Sequence, residues 1–146
     1  MKTDTLTCRY QMRATQEAFH HVLFNEQKKY FEANHAIGNF AEGCQVHINM
    51  QTKTSPKVVP AVITIKKITL NEFWTSTAYE EGIIEQRYIY TMQRNGKLLV
   101  TYSEQSRFNK AQSTYSYMVA ALVYKFFFNR GVKKRLRHLE LNCTHG

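Results

Sequence analysis

The 146-residue length suits one domain with a real core, or a core with a cavity in it, and 43% hydrophobic with 21% charged side chains is a globular composition. Nine Tyr and nine Phe suit a wide core or the walls of an apolar pocket, and three cysteines with no close pair exclude a disulfide framework. The net charge of +9 is uneven: residues 125–140 hold six basic side chains against one acid, Glu140, which bears on phosphate partners and anionic surfaces rather than on fold.

The opening MKTDTLTCRYQMR lacks the apolar core of a signal peptide, so a cytoplasmic protein with free thiols is expected. Leu6, Cys8, Tyr10 and Met12 alternate with polar residues, which predicts a half-buried strand over residues 1–13. Thr15 is a candidate N-cap for a helical segment over 14–35, with Phe19, Val22, Leu23, Tyr30 and Phe31 at helical spacing and a possible break near Asn25. Gly38, Asn39 and Gly43 mark a loop.

An antiparallel meander is expected over 44–106. Cys44, Val46, Ile48 and Met50 share a face of its first strand, and residues 53–60, with Pro56 and Pro60, read as a loop. Strands follow at Ala61–Leu70, Asn71–Tyr79, Ile83–Arg94 and Lys97–Ser106, and Asn95-Gly96 between the last two signals a hairpin. Ser113 can cap a C-terminal helix over 113–140, which Gly131 could kink and which ends in a basic segment. Helices segregated from an antiparallel sheet make an α+β fold, buildable as a curved sheet gripping the last helix.

This plan resembles the helix-grip fold of the START-like, or SRPBCC, superfamily, which includes the birch-pollen-allergen-like proteins. More narrowly, the chain is similar to a small family of uncharacterised bacterial proteins, common in low-GC Gram-positive bacteria, within that superfamily. The likeness covers roughly residues 5–140. It rests on Tyr90-Thr91-Met92, on Val100-Thr101-Tyr102-Ser103-Glu104, and on the ending from Phe126-Phe127-Phe128 through Lys133-Lys134-Arg135-Leu136 to Leu139-Glu140. It implies a curved antiparallel sheet of about six strands around a long C-terminal helix, and binding of hydrophobic ligands or, in some branches, chemistry on them.

The chemistry-bearing candidates are few. Tyr115–Phe128 spans about 21 Å as a helix against roughly 30 Å for a bilayer core, which disfavours a transmembrane span. Tyr115, Met118, Val119, Leu122, Val123 and Phe126 instead form a stripe suited to core packing or to an amphipathic surface helix. Cations in the last turns of a helix favour its dipole and aid solubility; contact with nucleic-acid or lipid phosphate is the other use, with no base-reading motif nearby. The six histidines show no metal-ligand spacing, no nucleophile elbow or phosphate loop is present, and Cys8 lies on an apolar strand face without an evident activating base. Glu104 shares a face with Val100 and Tyr102. It stands either at the mouth of a cavity, as a ligand anchor or acid, or at a strand end, solvated or paired with a cation.

The combined expectation is a cavity between sheet and C-terminal helix that binds a hydrophobic or amphipathic small molecule without a cofactor or metal. Tyr10, Met50, Trp74, Tyr90 and Tyr102 would line it from the sheet and Met118 and Leu122 from the helix, with Tyr hydroxyls and Glu104 as polar contacts. Two other functions stand beside it. One is docking of the basic surface, Lys133, Lys134, Arg135 and Arg137, on an anionic membrane or acidic partner; the other is a lyase or cyclase inside the cavity, which needs an acid and a base.

Overall fold

The first strand, β1 (Lys2–Met12), leads into helix α1 (Gln16–Ala33). Five strands follow, β2 (Gln45–Gln51), β3 (Val58–Thr69), β4 (Glu72–Tyr79), β5 (Gly82–Met92) and β6 (Leu98–Phe108), and then helix α2 (Thr114–His145). The computed structural model describes residues 2–51, 58–80, 82–108 and 114–145, and only the backbone at 2–4, 50, 51, 108, 114–127, 144 and 145. The strands form one curved antiparallel sheet in the order β1-β6-β5-β4-β3-β2. β1 returns beside β6 in unbroken register from Lys2↔Phe108 to Met12↔Leu98, so the first and last strands are neighbours.

Period-two alternation decides what faces inward. Leu6, Cys8 and Met12 of β1, Leu98, Val100 and Tyr102 of β6, Tyr88 and Tyr90 of β5 and Phe73 of β4 are buried together. Phe19 and Leu23 of α1 and Phe128, Leu136 and Leu139 of α2 complete that core. A second cluster, Phe31, Val46 and Ile65, ties the end of α1 to β2 and β3. Phe40 bridges the two, with its ring 5.0 Å from Phe24, 5.1 Å from Phe31 and 6.3 Å from Phe73.

Helix α1 is continuous, without a break at Asn25, whose side-chain amide meets His21 Nε2 at 3.0 Å one turn back. The Thr15 side chain accepts from the Ala18 amide at 3.1 Å, the bond an N-cap supplies. The helix ends on a Schellman motif: the Ala36 amide donates to the Phe31 carbonyl and the His35 amide to the Glu32 carbonyl. His35 occupies the left-handed position, φ 63°, that glycine usually takes.

Three other sequence features resolve differently from expectation. Pro60 belongs to β3, opposite Asn49, rather than to the preceding loop; β3 meets β4 only from Ala61 onward, so Pro60 has one strand neighbour and its missing donor costs little. The hairpin at Asn95-Gly96 has a three-residue loop, Arg94-Asn95-Gly96, with Gly96 at φ 81° and Asn95 Oδ1 accepting from the Lys97 amide. Gly131 does not interrupt α2, which runs unbroken past Glu140 to His145.

Candidate functional site

The inner face of the sheet is not filled everywhere. Next to the core lies a cavity of about 570 Å³. Phe73 and Thr75 of β4, Gln86 and Tyr88 of β5 and Tyr102 and Glu104 of β6 line it from the sheet, with Ile63 of β3 beside them. Glu26, Gln27 and Tyr30 of α1 close one side, and Phe128, Gly131, Val132, Arg135 and Leu136 of α2 another. The walls therefore come from three elements, where the sequence reading expected the sheet and the last helix alone.

Two hydrogen-bonded sets of polar side chains converge on this surface. Tyr88 and Tyr102 are direct cross-strand partners with ring centroids 4.7 Å apart. The Tyr102 hydroxyl donates to Glu104 Oε2 at 2.5 Å and accepts from Gln86 Nε2 at 2.9 Å. The Tyr88 hydroxyl accepts from Arg135 Nε at 3.0 Å, while Arg135 Nη2 donates to Glu26 Oε1 at 2.5 Å. Burial pushes the Tyr102 phenol well above its usual pKa, and the neighbouring Glu104 carboxylate adds to the effect. Burial also raises that of Tyr88, against the opposing pull of the Arg135 guanidinium. Burial alone would lower the Arg135 pKa, but Tyr88 and Glu26 outweigh it, and the guanidinium is held charged.

Of the residues expected to bind ligand, Tyr102 and Glu104 meet in the cavity. Tyr90 faces inward but lies under α1: it is fully buried, 2.6 Å from His20 Nδ1, with the Phe19 ring edge-on at 4.9 Å. Tyr10 is on the inner face near the sheet edge, donating to Glu140 Oε1 at 2.7 Å, outside the cavity lining. Trp74 is on the opposite face, because its neighbour Phe73 points inward; the Arg87 guanidinium covers its ring at 5.1 Å. Met50 sits on β2 opposite Val59, and Met118 and Leu122 on α2; their side chains lie outside the described residues.

Arg135 requires a correction of a different kind. Expected on the basic surface, it lines the cavity while its side chain keeps 39% exposure, because it lies four residues before buried Leu139 at the edge of the inward face of α2. Lys133, Lys134 and Arg137 are exposed, and with Arg130 they occupy the outward face at helical spacing, beside Leu141 at 53% exposure. Glu26, Gln86 and Tyr88 were missed by sequence reasoning. Tyr88 had a signal, since it shares strand parity with Tyr90; Glu26 had none, since the face of α1 that meets the cavity depends on how α1 docks.

Among the described residues no cluster of His, Cys, Asp and Glu could hold a metal ion. Among the described residues no helix is long and apolar enough to cross a membrane.

No protein-family model and no curated protein matches the sequence. Solved structures do. The Zhui aromatase/cyclase from Streptomyces sp. R1128 superposes with a TM-score of 0.68 over 98% of this chain and 94% of its own, at 8% identity. A protein of unknown function from Staphylococcus aureus gives 0.64 over 99% and 98%, at 11% identity. Ara h 8.0201 gives 0.59 over 97% and 95%, at 8% identity. What the chain shares with these proteins is the fold, and that fold is the helix-grip fold.

Proposed function

We propose that this protein binds a hydrophobic or amphipathic small molecule, non-covalently and without a cofactor, in the cavity bounded by β3–β6, α1 and α2. The observation that carries the reading is the roughly 570 Å³ cavity, whose lining sets the apolar side chains Phe73, Ile63, Phe128, Val132 and Leu136 beside the hydrogen-bonded polar groups of β5, β6, Glu26 and Arg135. Ligand sites in general combine an apolar wall with a few placed polar groups at this volume. The whole chain acts as one cytoplasmic domain, related to uncharacterised proteins of low-GC Gram-positive bacteria.

The test is native mass spectrometry of protein purified from its own host, together with uptake of an environment-sensitive apolar dye. A co-purifying molecule or a one-to-one dye complex is expected. Gly131→Leu, which puts a side chain into open space at the cavity wall, should reduce dye uptake by at least several-fold. Dye binding that ignores this substitution, or no uptake at all, removes the proposal.

A second reading is favoured by the outward face of α2. Arg130, Lys133, Lys134 and Arg137 form one exposed cationic stripe, suited to an anionic membrane or an acidic partner. Vesicles containing anionic lipid should then retain the protein at low salt and release it as salt rises. Replacing Lys133, Lys134 and Arg137 by Gln should abolish retention and leave dye uptake intact.

A further inference from the structure

The two tyrosines of the cavity differ in what they have left to offer. The Tyr102 hydroxyl is used in both directions, donating to Glu104 and accepting from Gln86. The Tyr88 hydroxyl accepts from Arg135, and among the described residues nothing accepts its own proton. Tyr88 is only 6% exposed, so this is a buried donor turned to a cavity it helps to line. A phenolic hydroxyl can donate as well as accept, so Tyr88 has a hydrogen bond left to give into the cavity.

Geometry directs the donor. Glu26 and Tyr88 hold two nitrogens of the same planar guanidinium, which fixes its orientation. Arg135 Nε–H occupies one side of the Tyr88 oxygen, so the phenolic O–H must point elsewhere. A bond accepted from a charged donor also polarises the hydroxyl and strengthens the bond it donates. Because burial keeps the phenol above its ordinary pKa, Tyr88 is protonated and able to donate at neutral pH.

Charge narrows the partner. Among the described residues of the wall the one cation, Arg135, is already engaged by Glu26 and by the Tyr88 oxygen. An anionic head group would find no unengaged cation among them. A neutral oxygen acceptor needs none. The strands around Tyr88 offer flat aromatic and aliphatic surface, Phe73, Phe128 and Leu136, on which the rest of a ligand can lie.

We propose that Tyr88 is the polar anchor of the cavity, its hydroxyl donating to a neutral carbonyl oxygen (ketone, ester, amide or quinone) on an otherwise apolar ligand. Arg135 is the positioning residue behind it. This inference rests on the cavity-binding reading above and adds the ligand class to it.

Three probes on one flat tricyclic frame test it: 9-fluorenone, fluorene and fluorene-9-carboxylate, titrated against the wild-type chain and Tyr88→Phe. Fluorenone should bind wild type more tightly than fluorene by roughly three- to tenfold, the worth of one hydrogen bond. The carboxylate should bind no better than fluorene. Tyr88→Phe should erase the ketone preference while fluorene affinity is kept. The infrared carbonyl band of wild-type-bound fluorenone should lie below its position in alkane, a readout that needs no variant. Fluorene binding with no ketone preference, a band at the alkane position, or a preference that survives Tyr88→Phe overturns this inference alone. Binding of none of the three overturns the cavity reading and this inference with it.

Discussion

Glu72 and His20 set how the fold responds to acid. Glu72 is buried on the outer face of the sheet, hydrogen-bonded by Arg87 Nε and paired with Lys67 Nζ at 3.3 Å. Burial alone would raise its pKa, but the two cations outweigh burial and hold the carboxyl below its ordinary 4.5. His20 lies against Tyr90 on the inner side of α1; burial first, and the charge of His21 second, lower its pKa below 6.5. In both cases the folded state binds its proton less readily than the unfolded chain. Stability is therefore present above the unfolded value and lost as pH falls through the depressed folded one. Denaturation followed by pH should show two losses: one beginning below about pH 6.5, which His20→Gln flattens, and one below about pH 4.5, which Arg87→Gln flattens. Because Arg87 is 43% exposed, the second effect should be no more than about 1 kcal/mol after screening. A stability constant from pH 7 to 5 would contradict the His20 assignment.

At the scale of elements, the strands were legible because alternation is a property of the local backbone: Leu6, Cys8 and Met12 are buried while Thr5, Thr7, Arg9 and Gln11 are exposed, as their spacing alone implies. Trp74, expected on the cavity wall, lies outside because strand parity with inward Phe73 puts it on the other face. What one chain's pattern does not carry is which part of an inward face a helix covers. Tyr88 and Tyr90 are two residues apart on the same face, yet α1 seals Tyr90 and leaves Tyr88 at a cavity wall. Helix α2 supports two predictions. Leu139 is fully buried, and Leu139→Ala should cost about 2–5 kcal/mol in denaturant unfolding, whereas Leu141→Ala, at an exposed site, should stay within about 0.5 kcal/mol. Gly131 sits inside the helix with nothing within 4 Å of an added Cβ, so Gly131→Ala should stabilise by about 0.5–1 kcal/mol through helix propensity. Destabilisation by that alanine would mean that the helix needs glycine there for its path across the cavity.

The whole molecule joins its elements at the cavity. The sheet wall, the Glu26–Tyr30 side of α1 and the Phe128–Leu136 side of α2 meet there, and the Glu26–Arg135 ion pair links the two helices across it. A ligand that fills this space touches all three, so its binding energy adds to the stability of the fold as one unit rather than to a single loop. Ligand at a hundred times its dissociation constant contributes about 2.7 kcal/mol by mass action, which for a chain of this size raises Tm by roughly 5–10 °C. Hydrogen exchange should slow in α1 near Glu26–Tyr30, in β5 and β6 near Tyr88 and Tyr102, and in α2 near Phe128–Leu136. The Arg94-Asn95-Gly96 loop, at the tip of the hairpin and outside the cavity lining, should be unchanged. A ligand held on the cationic stripe instead would touch only the outward side of α2, from Arg130 to Arg137. Slowing confined to that segment and abolished by salt would place the binding event on the surface and leave the cavity without a role.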